Sequence, residues 1–139
     1  MPIINVKNWP SKVAGIQWNG RERKSVPDYD VFKMMVSDDN QWKRNFAKAL
    51  RGAVISEDIP GIDDPRLVTV SFDNGRAIAE DILLVIEVTG LFVRPDRTKV
   101  VRDRLAYALK ECGKAHNNTL GCEVLIHRFN PNADSYCRG

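Results

Sequence analysis

The chain has 139 residues, 43% of them apolar and 28% charged, a balance that excludes a mainly disordered or fibrous protein. Its length suits a single domain over 1–139, with approximate halves 1–77 and 78–139, that buries roughly two-thirds of its unfolded surface. The net charge of +3 demands no polyanionic partner, and the longest apolar run, Ile82 to Val88, falls far short of the ~20 residues that cross a bilayer, so no membrane partner is expected.

In chain order, Ile3 to Val6 reads as a short strand. Val13 to Trp18 reads as another, closed by Asn19-Gly20, which tolerate the positive φ of a tight turn. Asp30 to Val36 suits either a strand or a first helical turn, because periodicity does not separate the two over so short a run. Ser37-Asp38-Asp39 are good N-cap residues, and beyond them Trp42, Phe46, Ala49, Leu50 and Ala53 share one helical face. Gly52 weakens that helix and Pro60 follows its end. Leu67 to Phe72 is predicted as a strand ending at the turn Asp73-Asn74-Gly75.

Ile82 to Val88 has the nearly continuous apolar character of a central strand covered by helices. A helix from about Asp96 to Lys114 puts Val101, Leu105, Ala108, Leu109 and Cys112 on one side. Cys122 to Phe129 is the last strand, and Asn130-Pro131-Asn132 turns the chain into a short tail. The order predicts an α+β protein of two β-α-β units with an N-terminal extension or hairpin, the role of residues 9–36 being open; if Asp30 to Val36 is the first strand of its unit, Pro2 belongs to an added N-terminal hairpin. Two architectures share this string: a ferredoxin-like antiparallel sandwich, and two parallel β-α-β units whose sheets pack around a common axis in an oligomer.

Cys112, Cys122 and Cys137 cannot all pair within one chain and lack zinc-ligand spacing, so we expect reduced thiols, no metal and a cytoplasmic setting. The first residues carry no basic leader or apolar signal core, and the Asn117-Asn118-Thr119 triplet is read as a chance match. His116 is expected in a loop and His127 in a strand. Arg21, Arg23 and Lys24 near Trp9 and Trp18 read as a solvated turn beside core tryptophans, so a nucleic-acid partner is not expected. Ser135 and Cys137 have no nearby base in the sequence, and no phosphate-binding glycine loop is present.

Two features carry candidate chemistry. Once Met1 is removed, Pro2 offers a ring-held secondary amine ahead of a strand. A free α-amino group has a pKa of about 7.7–8, and burial or nearby arginines would lower it into the range of a base at neutral pH. The plain alternative is a proline that merely follows the start codon. The second feature is the segment Gly90 to Lys99, where Arg94 and Arg97 precede a helix and suit a carboxylate ligand. The alternative is pairing with Asp96, Asp103 or another surface acid.

The combination of Pro2-Ile3-Ile4 and Val6 with Arg94-Pro95-Asp96 and Lys99 ahead of a helix, and then Glu123-Val124-Leu125-Ile126, resembles the tautomerase superfamily. That superfamily includes 4-oxalocrotonate tautomerases and macrophage migration inhibitory factor. The resemblance is best over residues 82–129 and implies two β-α-β units in a homotrimer. It further implies a cofactor-free isomerase in which Pro2 moves a proton on a small 2-oxo or enol carboxylate. Arg94 and Arg97 would then hold the carboxylate, with Lys7 adding positive charge and Phe129 and Tyr136 as candidate pocket walls. No arginine follows Val6 closely, and Glu123 stands where shorter members can carry another arginine. A non-catalytic tautomerase-like or ferredoxin-like binding protein is the alternative.

Overall fold

Alternation of apolar and polar residues builds the first strand: Ile4 and Val6 are buried while Ile3, Asn5 and Lys7 point to the other face. The computed structural model describes residues 2–13, 29–73, 84–117, 121–130, 133 and 135. In order these form β1 (Ile3–Lys7), α1 (Tyr29–Ser56), a 3-10 turn at Pro65–Leu67, β2 (Thr69–Phe72), β3 (Leu84–Phe92), α2 (Lys99–His116) and β4 (Cys122–Phe129). The strands make one sheet in the order β2-β1-β3-β4. β1 is parallel to β2 and β3 to β4, whereas β1 and β3 are antiparallel. The two parallel pairs, each bridged by a helix, are the two β-α-β units, and they rule out the ferredoxin-like antiparallel alternative.

Both helices cover the same face of the sheet. Phe46, Leu50 and Val54 of α1 and Leu105 and Leu109 of α2 pack on Ile4, Val6, Leu84, Ile86 and Val88. Each such side chain stabilises the fold by about 1.5–3 kcal/mol on burial. Val101 and Cys112 of the predicted α2 face pack at the margin of this core. Trp9, Trp42, Phe46 and Phe72 add an aromatic cluster, with the Trp9 and Trp42 rings 6.0 Å apart and stacked. The Trp9 indole N–H is satisfied by the Asp73 carbonyl, and that of Trp42 by the His116 carbonyl at 3.3 Å.

Several expectations change. α1 starts at Tyr29, so Asp30 to Val36 is helical and Ser37-Asp38-Asp39 is not its cap. The carboxylate of Asp39 has a tertiary use instead: it accepts from the Ser11 hydroxyl at 2.6 Å and from the backbone N–H groups of Lys12 and Val13 at 2.9 and 3.3 Å. Three donors satisfy a buried acid in mid-helix, and they override its local preference for a helix start. The strand expected from Leu67 starts at Thr69, because Asp64 and Pro65 first make a 3-10 turn.

Pro2 does not belong to an added hairpin, since β1 lies in the sheet between β2 and β3. His116 is the last residue of α2 rather than a loop residue, and its ring stacks on Phe46 at 5.2 Å. β4 spans the predicted residues. The Val13 to Trp18 run beyond Val13, the Asn19-Gly20 turn, the boundary near residue 77, Tyr136 and Cys137 lie outside the described residues. Among the described residues, no helix is long and apolar enough to cross a membrane.

Candidate active site

Two strand registers bring distant residues to one place. Because β1 and β3 are antiparallel with Ile3 opposite Thr89, the start of β1 lies beside the end of β3. Because β1 and β2 are parallel with Ile3 opposite Thr69, the chain that enters β2 arrives at the same end. There the Thr69 N–H donates to the Pro2 carbonyl at 3.2 Å. Between these segments lies a cavity of about 310 Å³. Ile62, Leu67, Phe92 and Val93 form its apolar walls, Arg94 and Arg97 its charged side, and Pro2, Gly61 and Gly90 complete the lining.

A register shift between Val88 and Leu91 shapes the β3 side of this cavity. Buried positions run Leu84, Ile86, Val88 and then Leu91, so the bulge changes which residues face the core just before the cavity. Gly90 sits in it with φ +72, a conformation that a side chain would strain. Val93 then donates its N–H to the Phe129 carbonyl at 2.8 Å, which fastens the exit of β3 to the end of β4. The Phe92 and Phe129 rings stand 5.2 Å apart, so Phe129 backs a cavity wall rather than lining the cavity.

The two arginines are held differently. Arg94 places Nε and Nη2 on the Asp96 carboxylate at 3.0 and 2.8 Å, the acid pairing that the sequence offered as an alternative. Arg97 donates from Nε to the Pro60 carbonyl at 3.0 Å and from Nη1 to the Phe92 carbonyl at 2.9 Å. It therefore clips the loop after α1 to the end of β3. Burial pushes the Arg97 pKa down, the neighbouring Arg94 charge adds to this, and Asp96 opposes it. α2 begins just beyond, with the Thr98 hydroxyl accepting from the Val101 N–H at 3.4 Å.

Of the predicted site residues, Pro2, Arg94 and Arg97 meet at one cavity. Lys7 does not line it: its side chain lies on the sheet face away from the helices and pairs with Glu87 at 2.7 Å. His127 shares that acid, with Nε2 2.8 Å from Glu87 Oε1. The Lys7 hydrogen bond holds Glu87 below the usual carboxylate range against the opposing effect of burial, and His127 adds to it. Gly61, Ile62 and Leu67 were not singled out from the sequence. Pro60-Gly61 carries a turn signal, but only the parallel β1–β2 register brings that turn to Pro2.

No family model and no curated protein matches the sequence. Solved structures do. A fused 4-OT described as an asymmetric trimer aligns with a TM-score of 0.58 and 14% identity, covering 99% of this chain and 93% of its own. Macrophage migration inhibitory factor of Toxoplasma gondii aligns at 0.54 with 12% identity, covering 99% and 95%. Pt0534, described as inactivated by 2-oxo-3-pentynoate, aligns at 0.55 with 13% identity, covering 99% and 92%. The fold is thus the tautomerase-like α+β fold.

Proposed function

We propose that this chain is a cofactor-free tautomerase or isomerase of the tautomerase superfamily, acting on a small 2-oxo or enol carboxylate with Pro2 as its base. One observation carries the reading: Pro2 and the two arginines nearest the α2 start line the same cavity although more than ninety residues separate them in sequence. The similarity to Pt0534, whose inactivator is itself a 2-oxo carboxylate, supports that substrate class.

After removal of Met1, the Pro2 nitrogen is a secondary amine in a partly apolar cavity beside two cations. Both surroundings favour its neutral form. It takes a proton from the carbon α to a carbonyl, or from an enol, while Arg94 and Arg97 hold the carboxylate and stabilise the enolate charge. The protonated nitrogen then returns the proton to another atom of the same substrate, so the reaction is balanced without a metal or organic cofactor.

We place the protein in the cytoplasm and favour a homotrimer. The sheet face away from the helices supports self-association, with Ile3 and Leu125 42% and 40% exposed. Light scattering during size exclusion is expected to give three times the 15.7 kDa chain mass; a monomer at micromolar concentration would remove that part.

The activity test is enol-to-ketone conversion of phenylpyruvate. Pro2→Ala is expected to lower kcat by roughly 10²–10⁴-fold, the usual contribution of a positioned base. Arg94→Ala is expected to raise KM about tenfold or more, since hydrogen bonds to charged groups contribute about 1.5–3 kcal/mol. Equal rates for wild type and Pro2→Ala would remove Pro2 from the mechanism. Absence of activity in protein lacking Met1 would favour a non-catalytic binding protein, a reading that Asp96 already occupying two nitrogens of Arg94 also supports.

A further inference from the structure

Gly61 stands in the loop after α1 with φ +84, and its bare Cα faces both arginines. A Cβ built there would lie 2.2 Å from Arg94 Nη1 and 3.0 Å from Arg97 Nη2. Both nitrogens therefore pack against the bare Cα of Gly61, and any side chain at position 61 would have to push the Arg94 guanidinium aside. They are also the two guanidinium nitrogens that carry no hydrogen bond among the described residues: Nε and Nη2 of Arg94 are on Asp96, and Nε and Nη1 of Arg97 are on the Pro60 and Phe92 carbonyls.

Both guanidinium groups come within 3.0 Å of that one built position, and two cations so placed repel each other unless an anion lies between them. Each is nevertheless fixed through its other nitrogens, one by a carboxylate and one by two carbonyls, so neither has to be reoriented when an anion arrives. Gly61 is thus the point where the first unit limits the second: its loop approaches the arginines closely enough to be bonded by Arg97, yet contributes no atom where their free nitrogens meet.

We infer that Gly61 is a positioning residue whose missing side chain lets Arg94 Nη1 and Arg97 Nη2 form one seat for a single carboxylate at the cavity. This rests on the reading of the cavity as a carboxylate site, and goes beyond it by assigning the seat's geometry to a residue of the other β-α-β unit. A side chain at 61 drives Arg94 off the seat. Its effect falls first on carboxylate binding, and so more heavily on KM than on kcat.

The test uses oxalate as the probe, with isothermal titration calorimetry on the full chain of wild type, Gly61→Ala, Gly61→Asn, Arg94→Ala and Gly61→Asn/Arg94→Ala. Asparagine accepts a positive φ far more readily than alanine, so the Gly61→Asn variant separates bulk from backbone strain and keeps the test alive if Gly61→Ala fails to fold. Gly61→Asn and Arg94→Ala are each expected to weaken oxalate binding roughly tenfold, the loss of about one charge-assisted hydrogen bond. The double variant is expected to bind no more weakly than Arg94→Ala alone. Wild-type affinity in a folded Gly61→Asn protein, or penalties that multiply in the double variant, would overturn the assignment. A wild type that does not bind oxalate would overturn the seat as well. Phenylpyruvate conversion by the same samples reads the Pro2 mechanism separately: Gly61→Asn is expected to raise KM by a larger factor than it lowers kcat, and a fall in kcat with KM unchanged would also count against a positioning role at the seat.

Discussion

The two β-α-β units share a plan but divide the labour unequally. The second, from β3 to β4, joins its strand to its helix through the short segment Val93–Thr98, and that segment holds both arginines of the cavity. In the first, from β1 to β2, more than twenty residues separate β1 from the 28-residue α1. It contributes Pro2 at its very start and the Gly61 loop after its helix. In the proposed reaction, one unit would grip the carboxylate from its strand-to-helix junction, while the other would supply the base and the space. Neither unit holds the whole site, because the cavity exists only where antiparallel β1 and β3 lie side by side.

The comparison can be broken first at the core. Phe46 of α1 and Leu109 of α2 are both fully buried, so Phe46→Ala is expected to cost about 3–5 kcal/mol and Leu109→Ala about 2–5 kcal/mol in urea unfolding. If both helices stabilise one common core, each variant should unfold in a single shifted transition. Two separate transitions in either protein would show that the units fold independently. Asp39 sharpens the contrast, because the second unit has no comparable buried acid among its described residues. Asp39→Ala removes the acceptor shared by the Ser11 hydroxyl and the Lys12 and Val13 N–H groups, while Val13 keeps its 3.2 Å bond to Ser11 Oγ, and is expected to cost about 1–3 kcal/mol. Unchanged stability would mean that the segment after β1 is not held by α1.

The smallest expected effect joins the units across the open sheet face, where Lys7 of β1 meets Glu87 of β3. The Glu87 pKa is depressed in the folded protein, mainly by the Lys7 hydrogen bond. Its stabilising contribution is therefore present above the unfolded carboxylate pKa of about 4.3 and is lost as pH falls through the lower folded value. Urea melts of wild type and Glu87→Gln should differ at pH 6 and converge toward pH 3; a gap that widens on acidification would reverse the assigned sign.

Legibility in the sequence follows the same division. β4 is legible to its ends because mostly β-branched and apolar residues fill it between Gly121 and Asn130; α2 is legible in its body because Leu105, Leu109 and Cys112 repeat on one face, although it spans Lys99–His116 and not Asp96 to Lys114. Arg94 and Arg97 were found from their place before that helix. In the first unit, local signals misled: Asp38 and Asp39 look like a helix start, yet Asp39 serves a tertiary contact with Ser11 twenty-eight positions away. Gly61, Ile62 and Leu67 reach the cavity only through the β1–β2 register, which no local pattern encodes. Lys7 lies away from the cavity for a simple reason of period: on β1 it shares the outward face with Ile3 and Asn5.

The central claim is that Pro2 is a neutral amine poised beside Arg94 and Arg97, and its nitrogen can be watched directly. In protein labelled with nitrogen-15 proline, a single proline signal should titrate on raising the pH, with a midpoint below the ~7.7 of an ordinary α-amino group because burial and the two guanidinium charges favour the neutral form. In Arg94→Ala that midpoint should rise. A wild-type spectrum in which no proline nitrogen titrates, as for an amide still attached to Met1, or in which the midpoint is ordinary and indifferent to Arg94, would contradict the account.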